Sequence, residues 1–278
     1  MDKLDIASGS ENIVITMEEG TPIDKLNDFQ YVCCNIPSAE TDTRAFEEQI
    51  QGCTCEGVSC DITKSTSCEC MRFGPTYDSD GKLLSPGQSD SKSVFLECNS
   101  SCKCLQSCAN RVVQNGIRHR LQLFYDQDKG FGVRTQDSIK CGEFVCEYTG
   151  EILTEFEATR RARDQSRKGI NFIFVLREHV TSGIVTTFID PSSSGNIGRF
   201  INHSCEPNMC IRPVRVHNLV PRVCFFVNRD IKAGEELAYS YGSCDGYQSA
   251  ENDGKPTVCL CGSKKCSGYL PCDRFVLS

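Results

Sequence analysis

Two tight groups of cysteines are the first residues in this sequence whose spacing predicts chemistry. The nine thiols lie within residues 53–108: Cys53, Cys55, Cys60, Cys68 and Cys70, then Cys98, Cys102, Cys104 and Cys108. An odd number of thiols cannot all pair as disulfides. Nine thiolates, three of them shared between metals, instead provide the twelve bonds that three tetrahedral zinc ions need. The spacing therefore predicts a three-zinc cluster that is structural, because thiolates fill every position and leave none for a catalytic water.

The alternative for these cysteines is a disulfide-rich secreted protein. Cysteine accounts for 21 of the 278 residues, just below the density typical of disulfide scaffolds. Residues 1–20 lack the apolar core and basic leader of a signal peptide, so we expect a reducing compartment. Thiols in such a compartment bind metal more often than they oxidise, which favours zinc over disulfides.

A second metal site is predicted near the C-terminus. Cys259, Cys261 and Cys266 form the pattern C-x-C-x4-C, so a tetrahedral zinc bound there would still need one ligand from elsewhere. Clustering disfavours the alternative of three unliganded surface thiols. The remaining cysteines are interpreted as buried or free thiols without a function: Cys33, Cys34, Cys141, Cys146, Cys210, Cys224, Cys244 and Cys272.

Three short segments between the cysteine groups contain residues suited to an active site. Their sequences are KGFG at 129–132, GRFINHSCEPN at 198–208 and EELAYSYG at 235–242. The two glycines of the first segment let a backbone approach a ligand closely, but no helix pattern follows, so it is not a dinucleotide fingerprint. Taken singly, His203 fits a satisfied core histidine and Tyr241 a buried tyrosine. A hydrolase triad is poorly supported, because the chain has four histidines and no G-x-S-x-G.

Taken together, these motifs and cysteine patterns resemble the SET-domain protein-lysine methyltransferases over roughly residues 50–272. The nine-cysteine block resembles the pre-SET module, and CLCGSKKCSGYL resembles the post-SET module. FVCEYTGEIL, REHV and FIDPSSSGNIGRFINHSCEPN resemble the suppressor-of-variegation group that acts on histone H3 lysine 9, including the SET portion of SET–mariner transposase fusions. The resemblance implies a β-rich α+β fold: several small sheets with a knot-like threading, flanked by a three-zinc pre-SET cluster and a one-zinc post-SET tail.

The resemblance also implies roles for individual residues. Tyr241 occupies the position of the catalytic tyrosine, Tyr148 would line the channel for the substrate lysine, and His203 and Tyr239 complete the catalytic set. Asn202 and His203 would hold the adenine end of S-adenosylmethionine, beside Arg199. The full set implied for this methyl donor is Lys129, Gly130, Phe131, Phe172, Arg199, Asn202 and His203. Cys205 would be the fourth ligand of the C-terminal zinc, which brings the implied total to four structural zinc ions.

The chemistry that the resemblance implies suits these residue types. Methyl transfer from a sulfonium to an amine is an in-line displacement, and lysine must lose a proton whose pKa is about 10.4 in water. An aromatic channel that excludes water favours the neutral amine. Two positions differ within the family: Phe172 stands where a tyrosine is common, and Tyr239 stands where members vary between Phe and Tyr. Because the Tyr239 hydroxyl leaves less room, we predict mono- or dimethylation over trimethylation.

The implied function is a nuclear, chromatin-associated methyltransferase that modifies histone H3, first of all at lysine 9. Lysine 36 of H3 or a non-histone protein remains open as the substrate, and so does an inactive zinc-stabilised module that binds chromatin. The formal charge of −7 disfavours strong intrinsic DNA binding and suits a basic histone tail or nucleosome. No apolar run approaches membrane-spanning length, so no membrane partner is expected, and nothing indicates the oligomeric state.

The elements that must position these residues are predicted mainly as short strands. Apolar and β-branched runs separated by turn residues indicate strands at Leu121–Tyr125, Phe144–Tyr148, Phe172–Leu176, Ile184–Ile189, Val223–Val227 and Glu236–Tyr241. Thr154 and Glu157 form a capping box that predicts a helix, and the basic run after it is expected to be a solvated face rather than a nuclear-import or nucleic-acid patch. A short helix is expected near 43–51, and the Gly/Ser/Asp-rich residues 74–93 predict a loop.

These patterns divide the chain into four parts. Residues 1–50 form an N-terminal segment without an interpretable motif, and residues 51–115 form the pre-SET zinc-cluster domain. Residues 116–242 form the SET catalytic domain, and residues 243–278 form a linker and the post-SET zinc segment.

Overall fold

The computed structural model describes residues 4–57, 59–60, 68–86, 94–180, 183–242 and 257–271. The strands in these ranges are β1 Thr16–Met17, β2 Gln30–Tyr31, β3 Ile36–Pro37, β4 Phe95–Leu96, β5 Leu121–Asp126, β6 Gly130–Thr135, β7 Phe144–Tyr148, β8 Glu151–Leu153, β9 Phe174–Val180, β10 Gly183–Asp190, β11 Ser194–Gly195, β12 Asn202–His203, β13 Met209–Arg215, β14 Arg222–Val227 and β15 Ala238–Tyr239. The α-helices are α1 Arg44–Glu47 and α2 Glu155–Arg167, and turns of 3-10 helix lie at Ile23–Leu26, Glu69–Met71, Val113–Asn115 and Ile197–Phe200.

The described strands form five small sheets, as the predicted β-rich fold requires. Their orders are β1-β5-β6, β3-β8-β10-β9, β11-β2, β12-β15 and β4-β13-β14-β7. Strand β7 is buried at every position, which explains why its residues are apolar apart from the buried Glu147. Strand β5 instead buries Leu121 and Leu123 with the alternation of a strand that has one covered face. The main apolar core joins β5, β6, β7 and β14.

The predicted strands are present, and two of them are shorter than expected. The run at 172–176 becomes a strand only from Phe174, because the Phe172 amide is bonded to a helix side chain instead of a neighbouring strand. In the run at 236–241 only Ala238 and Tyr239 form a strand, which pairs with β12, whereas Glu236 makes an isolated bridge to Arg134. Loop residues 74–86 contain one isolated bridge, Tyr77 to Leu83, and residues 87–93 lie outside the described part of the chain.

Helix α2 begins at the predicted capping box, where the Glu157 amide donates to Thr154 Oγ1 at 3.2 Å. The expected solvated basic face is correct for Arg163, Arg167 and Lys168, which are exposed. It is wrong for Arg161, which is half-buried and pairs with acidic side chains beneath the helix. The helix expected near 43–51 is the single turn α1. None of the described helices has the length and apolar character needed to cross a membrane.

The N-terminal residues, for which the sequence predicted no role, pack onto the later strands. Strand β1 pairs in parallel with β5, β2 pairs with β11, and β3 pairs with β8. Ala7 and Ile15 are fully buried in the main core. This segment is therefore part of the layer that surrounds the candidate site.

Candidate active site and metal centres

The three motif segments meet because two short strands pair across a long separation in sequence. Strand β12 runs parallel to β15, so that Asn202 lies opposite Ala238 and His203 lies opposite Tyr239. The Ser204 amide donates to the Tyr239 carbonyl at 3.0 Å. The Leu237 amide donates to the Val133 carbonyl at 2.8 Å, which joins the third motif to the strand that carries the glycine-containing first motif.

Three tyrosines named from the sequence lie in one aromatic cluster. The Tyr239 ring centroid is 4.8 Å from that of Tyr241 and 4.8 Å from that of Phe225, and the Tyr148 ring is 6.3 Å from Phe225. Tyr148 and Tyr239 are each 5% exposed, whereas Tyr241 is 41% exposed and lies at the edge of the cluster. The cluster is therefore an aromatic pocket with one open side.

The three hydroxyl groups of this pocket differ in their partners. The Tyr148 hydroxyl donates to the Phe172 carbonyl at 2.5 Å, and the Tyr241 hydroxyl donates to the Ile201 carbonyl at 3.1 Å. The Tyr239 hydroxyl has no hydrogen-bond partner among the described residues, so it is available to a ligand or a water. Burial raises the pKa of all three tyrosines, which keeps them neutral near pH 7.

Both ring nitrogens of His203 are used within the protein. The Tyr241 amide donates to His203 Nδ1 at 3.1 Å, so Nε2 carries the proton and faces Cys205 Sγ at 3.3 Å. Burial lowers the pKa of His203, which favours this neutral form. The ring therefore holds the Tyr241 backbone in place and does not itself face the open side of the pocket as an acid or base.

The first and second motifs are joined by polar contacts. Asn202 Nδ2 donates to the Phe131 carbonyl at 3.1 Å and to Glu236 Oε1 at 3.1 Å, and Lys129 forms an ion pair with the Glu236 carboxylate. Gly130 has a φ of 81°, which favours glycine. Sequence reasoning missed Glu236, although an acid in the third motif opposite Lys129 was a usable signal.

Arg199 is packed between aromatic rings, and one side of its guanidinium is unused. Its Cζ lies 4.5 Å from the ring centroids of Phe29 and Phe172, and Nη1 donates to the Pro191 and Ser192 carbonyls at 3.0 and 2.9 Å. Its buried Nε has no partner among the described residues. Phe29 was missed from the sequence, because nothing in the N-terminal segment indicates which later residue it covers.

The nine predicted cysteines of residues 53–108 pack into one cluster. Sulfur–sulfur distances are 3.7 Å for Cys53–Cys60, 3.6 Å for Cys60–Cys98 and 4.0 Å for Cys53–Cys98. A disulfide bond is about 2.05 Å long, whereas the edge of a zinc tetrahedron with 2.3 Å bonds is about 3.8 Å. Sets of four thiols with all sulfurs within 4.8 Å of one another are Cys53, Cys55, Cys60 and Cys68; Cys53, Cys70, Cys98 and Cys102; and Cys53, Cys60, Cys98 and Cys104. These spacings fit tetrahedral metal ions.

The three C-terminal cysteines lie close to Cys205, the fourth zinc ligand that the resemblance implied. Sulfur atoms of Cys205, Cys259, Cys261 and Cys266 all lie within 4.8 Å of one another. Cys205 lies two residues after β12, and its Sγ is 3.3 Å from His203 Nε2, so this group joins the C-terminal cysteines to the segment that carries His203. Of the other cysteines, Cys244 and Cys272 lie outside the described residues.

Similarity to known proteins covers nearly the whole chain. The SET domain family model matches residues 130–242, and the Pre-SET motif model matches residues 7–111. Histone-lysine N-methyltransferase SETMAR of Bos taurus is 38% identical over 281 residues, which cover 98% of this chain and 90% of the relative. The crystal structure of the methyltransferase domain of human SETMAR has a TM-score of 0.81 at 35% identity and covers 98% of this chain and 99% of that one. KRYPTONITE in complex with mCHH DNA, an H3(1–15) peptide and SAH has a TM-score of 0.75 at 28% identity, covering 96% of this chain and 53% of that one.

Proposed function

Because the chain belongs to the SET-domain family of histone-lysine N-methyltransferases, we propose that it transfers methyl groups from S-adenosylmethionine to lysine 9 of histone H3. The chain is an S-adenosylmethionine-dependent protein-lysine methyltransferase. The observation that carries the proposal is the pairing of β12 with β15, which places Asn202 and His203 beside the tyrosine pocket. The KRYPTONITE structure contains an H3 segment that includes position 9 and excludes position 36. That supports lysine 9 over lysine 36.

The residues that surround the pocket fit the methyl donor. S-adenosylmethionine carries a carboxylate, and the buried Nε of Arg199 is a donor without a partner that such a group would satisfy. We assign Lys129, Gly130, Phe131, Phe172, Arg199, Asn202 and His203 to its binding site. When bound, S-adenosylmethionine supplies the sulfonium methyl group. Phe172 offers a ring face but no hydroxyl to this site.

We assign the amine side of the reaction to Tyr148, Tyr239 and Tyr241, with His203 positioning Tyr241. Their rings exclude water, which favours the neutral lysine amine, and their neutral hydroxyls orient its lone pair rather than accept its proton. In-line displacement needs no covalent enzyme intermediate. Because the unpaired Tyr239 hydroxyl can bond the amine or a water, we propose that mono- and dimethylated products dominate.

We propose that four zinc ions hold the site together, three in the pre-SET cluster and one in the post-SET tail. Cys53, Cys60 and Cys98 recur among the four-thiol sets, so they are the bridging ligands. The sulfur of Cys108 lies 4.0 Å from that of Cys98 and accepts from the Cys60 amide, which supports Cys108 in place of Cys53 as a ligand of the third zinc ion. The complete assignment gives each zinc ion four thiolate ligands. The sets are Cys53, Cys55, Cys60 and Cys68; Cys53, Cys70, Cys98 and Cys102; Cys60, Cys98, Cys104 and Cys108; and Cys205, Cys259, Cys261 and Cys266. Metal analysis of reduced protein should find about four zinc ions per chain.

We propose that the protein acts in the nucleus on chromatin, with the histone tail or nucleosome as its substrate. The net charge of −7 favours a basic peptide and opposes tight intrinsic DNA binding. We retain the division into residues 1–50, 51–115, 116–242 and 243–278 as a proposal. Limited proteolysis tests it, and cleavage near residue 50, with the N-terminal fragment still bound through β1, β2 and β3, would support the first boundary.

The test of the proposed function is methyl transfer from labelled S-adenosylmethionine to histone H3 and to nucleosomes, read by site-resolved mass spectrometry. Label at lysine 9 that is lost in Tyr241→Phe supports the methyltransferase activity, the catalytic role of Tyr241 and the choice of lysine 9 together. Tyr77→Phe is the matched control, because it removes a buried hydroxyl that donates to Glu97, outside the site. Label at lysine 36 would identify that lysine, rather than lysine 9, as the target of methylation. No label on any histone, with cofactor binding intact, would favour a non-histone substrate or an inactive module.

A further inference from the structure

A buried glutamine connects helix α2 to the aromatic pocket. Gln165 lies in the last turn of α2, and its side chain is buried beneath the helix. Its Oε1 accepts from the Phe172 amide at 2.8 Å, and its Nε2 donates to Asp190 Oδ1 at 3.0 Å. A backbone amide only donates and a carboxylate only accepts, so these partners define one orientation of the side-chain amide.

Phe172 extends this connection to both sides of the candidate site. Its carbonyl accepts from the Tyr148 hydroxyl at 2.5 Å, and its ring packs 4.5 Å from the Arg199 guanidinium. Strand β9 begins only at Phe174, so no strand pairing holds Phe172. Gln165 supplies the hydrogen bond that a neighbouring strand would otherwise provide.

Asp190 gives the glutamine a rigid support. It is fully buried at the end of β10, and its Oδ1 also accepts from the Ser192 amide at 3.0 Å. Its Oδ2 accepts from Arg161 Nη1 at 3.0 Å. Three donors therefore hold this carboxylate, and a buried, fully bonded network of this kind favours a single geometry.

We infer that Gln165 is a positioning residue: by holding the backbone at the Phe172 amide, it fixes the Phe172 carbonyl and thereby the direction in which the Tyr148 hydroxyl points into the pocket. The inference rests on the proposed function, in which Tyr148 faces the substrate amine. Arg199 is held independently, by two carbonyls and by Phe29, so loss of Gln165 acts on amine alignment more than on cofactor affinity. A misplacement of about 1 Å at a reacting group lowers a rate by up to about 100-fold.

Two variants and one control test this role. Gln165→Met keeps the length of the side chain but removes both hydrogen bonds, and Gln165→Glu keeps an oxygen that can accept from the Phe172 amide. Gln136→Met makes the same change at a half-buried glutamine whose Nε2 donates to Thr16 Oγ1 at 3.3 Å, away from the pocket. We expect kcat to fall about 10- to 100-fold in Gln165→Met, to recover in part in Gln165→Glu, and to stay within twofold in Gln136→Met. The Kd for S-adenosylmethionine, measured by calorimetry, should change less than about threefold.

The hydrogen bond itself can be observed without turnover. Asn171–Phe172 is the one Asn–Phe pair in the sequence, so carbonyl-¹³C asparagine with ¹⁵N phenylalanine selects the Phe172 amide in a spectrum. We expect a slowly exchanging amide in the wild type, lost in Gln165→Met and retained in Gln165→Glu. A rapidly exchanging wild-type amide overturns the inference even if a variant fails to fold. The inference is also overturned if Gln165→Met loses this hydrogen bond but keeps kcat within twofold of wild type. The same holds if its affinity for S-adenosylmethionine falls by as large a factor as kcat. Absence of wild-type activity would instead count against the proposed function.

Discussion

Removal of the Tyr239 hydroxyl is expected to raise the methylation state of the product. The ring lies between Phe225 and Tyr241 with both centroids at 4.8 Å, so Tyr239→Phe keeps the packing. The hydroxyl has no partner among the described residues, and its loss leaves no protein group unpaired. We therefore expect the free energy of unfolding to change by less than about 1 kcal/mol.

The size of the product shift follows from one hydrogen bond. A bond from the hydroxyl to the amine or to a water contributes about 1–1.5 kcal/mol. At about 1.4 kcal/mol per factor of ten, its removal should raise the rate of the third transfer relative to the first about 5- to 10-fold. The added room for a methylated amine acts in the same direction.

The assay is a mass-spectrometric time course on an H3 tail peptide, compared at equal total methyl transfer. Tyr148→Phe is the matched control, because its hydroxyl is bonded to the Phe172 carbonyl and its loss should slow every step without changing the product order. Identical product distributions from wild type and Tyr239→Phe would refute the reasoning. A loss of more than about 2 kcal/mol of stability would show that the hydroxyl has a structural partner.

Three further predictions concern the metal, the buried charge and the cofactor side. Cys205→Ser should lower the zinc content by one ion per chain and the activity at least about tenfold, measured by metal analysis and methyl transfer, whereas exposed Cys33→Ser should change neither. Burial, opposed by Arg222, raises the pKa of Glu147 to about 7, so the folded state favours its protonated form. The free energy of unfolding should fall as pH rises from about 4.5 to about 7, by about 3 kcal/mol in total at about 1.4 kcal/mol per pH unit. If urea unfolding gives the same pH dependence of this free energy for wild type and Glu147→Gln, the prediction is wrong. Phe172→Tyr should lower the Kd for S-adenosylmethionine about 5- to 10-fold by adding a donor, and an unchanged Kd in calorimetry would exclude that role.

Local patterns predicted much of this structure. The strand periodicity of residues 121–125 and 144–148 and the capping box at Thr154 depend on near neighbours in sequence, and all three are present. Errors occurred where a side chain outside the local strand pattern competes for a backbone group. The strand predicted from Phe172 starts at Phe174, because Gln165 takes the Phe172 amide.

The sequence predicted which types of residue form the candidate site better than it predicted how those residues contact one another. The cysteine patterns indicated zinc, and the motifs indicated which tyrosines and which asparagine to examine. Phe29 and Glu236 were missed, since their contacts with Arg199 and with Lys129 join segments that no sequence period relates.

The sequence by itself determined the chemistry of this protein: thiolates at metal-binding spacing, a glycine-containing segment, and tyrosines in recognisable motifs. Only the tertiary structure decided which thiols lie close enough together to share a metal ion and that β12 pairs with β15. It also decided that the Tyr239 hydroxyl is unpaired while that of Tyr148 is bonded. The physical reason is the short distance over which these interactions act. Residue type sets what a group can bind, but a hydrogen bond or a metal tetrahedron requires atoms a few ångströms apart, and here those atoms come from segments far apart in the chain.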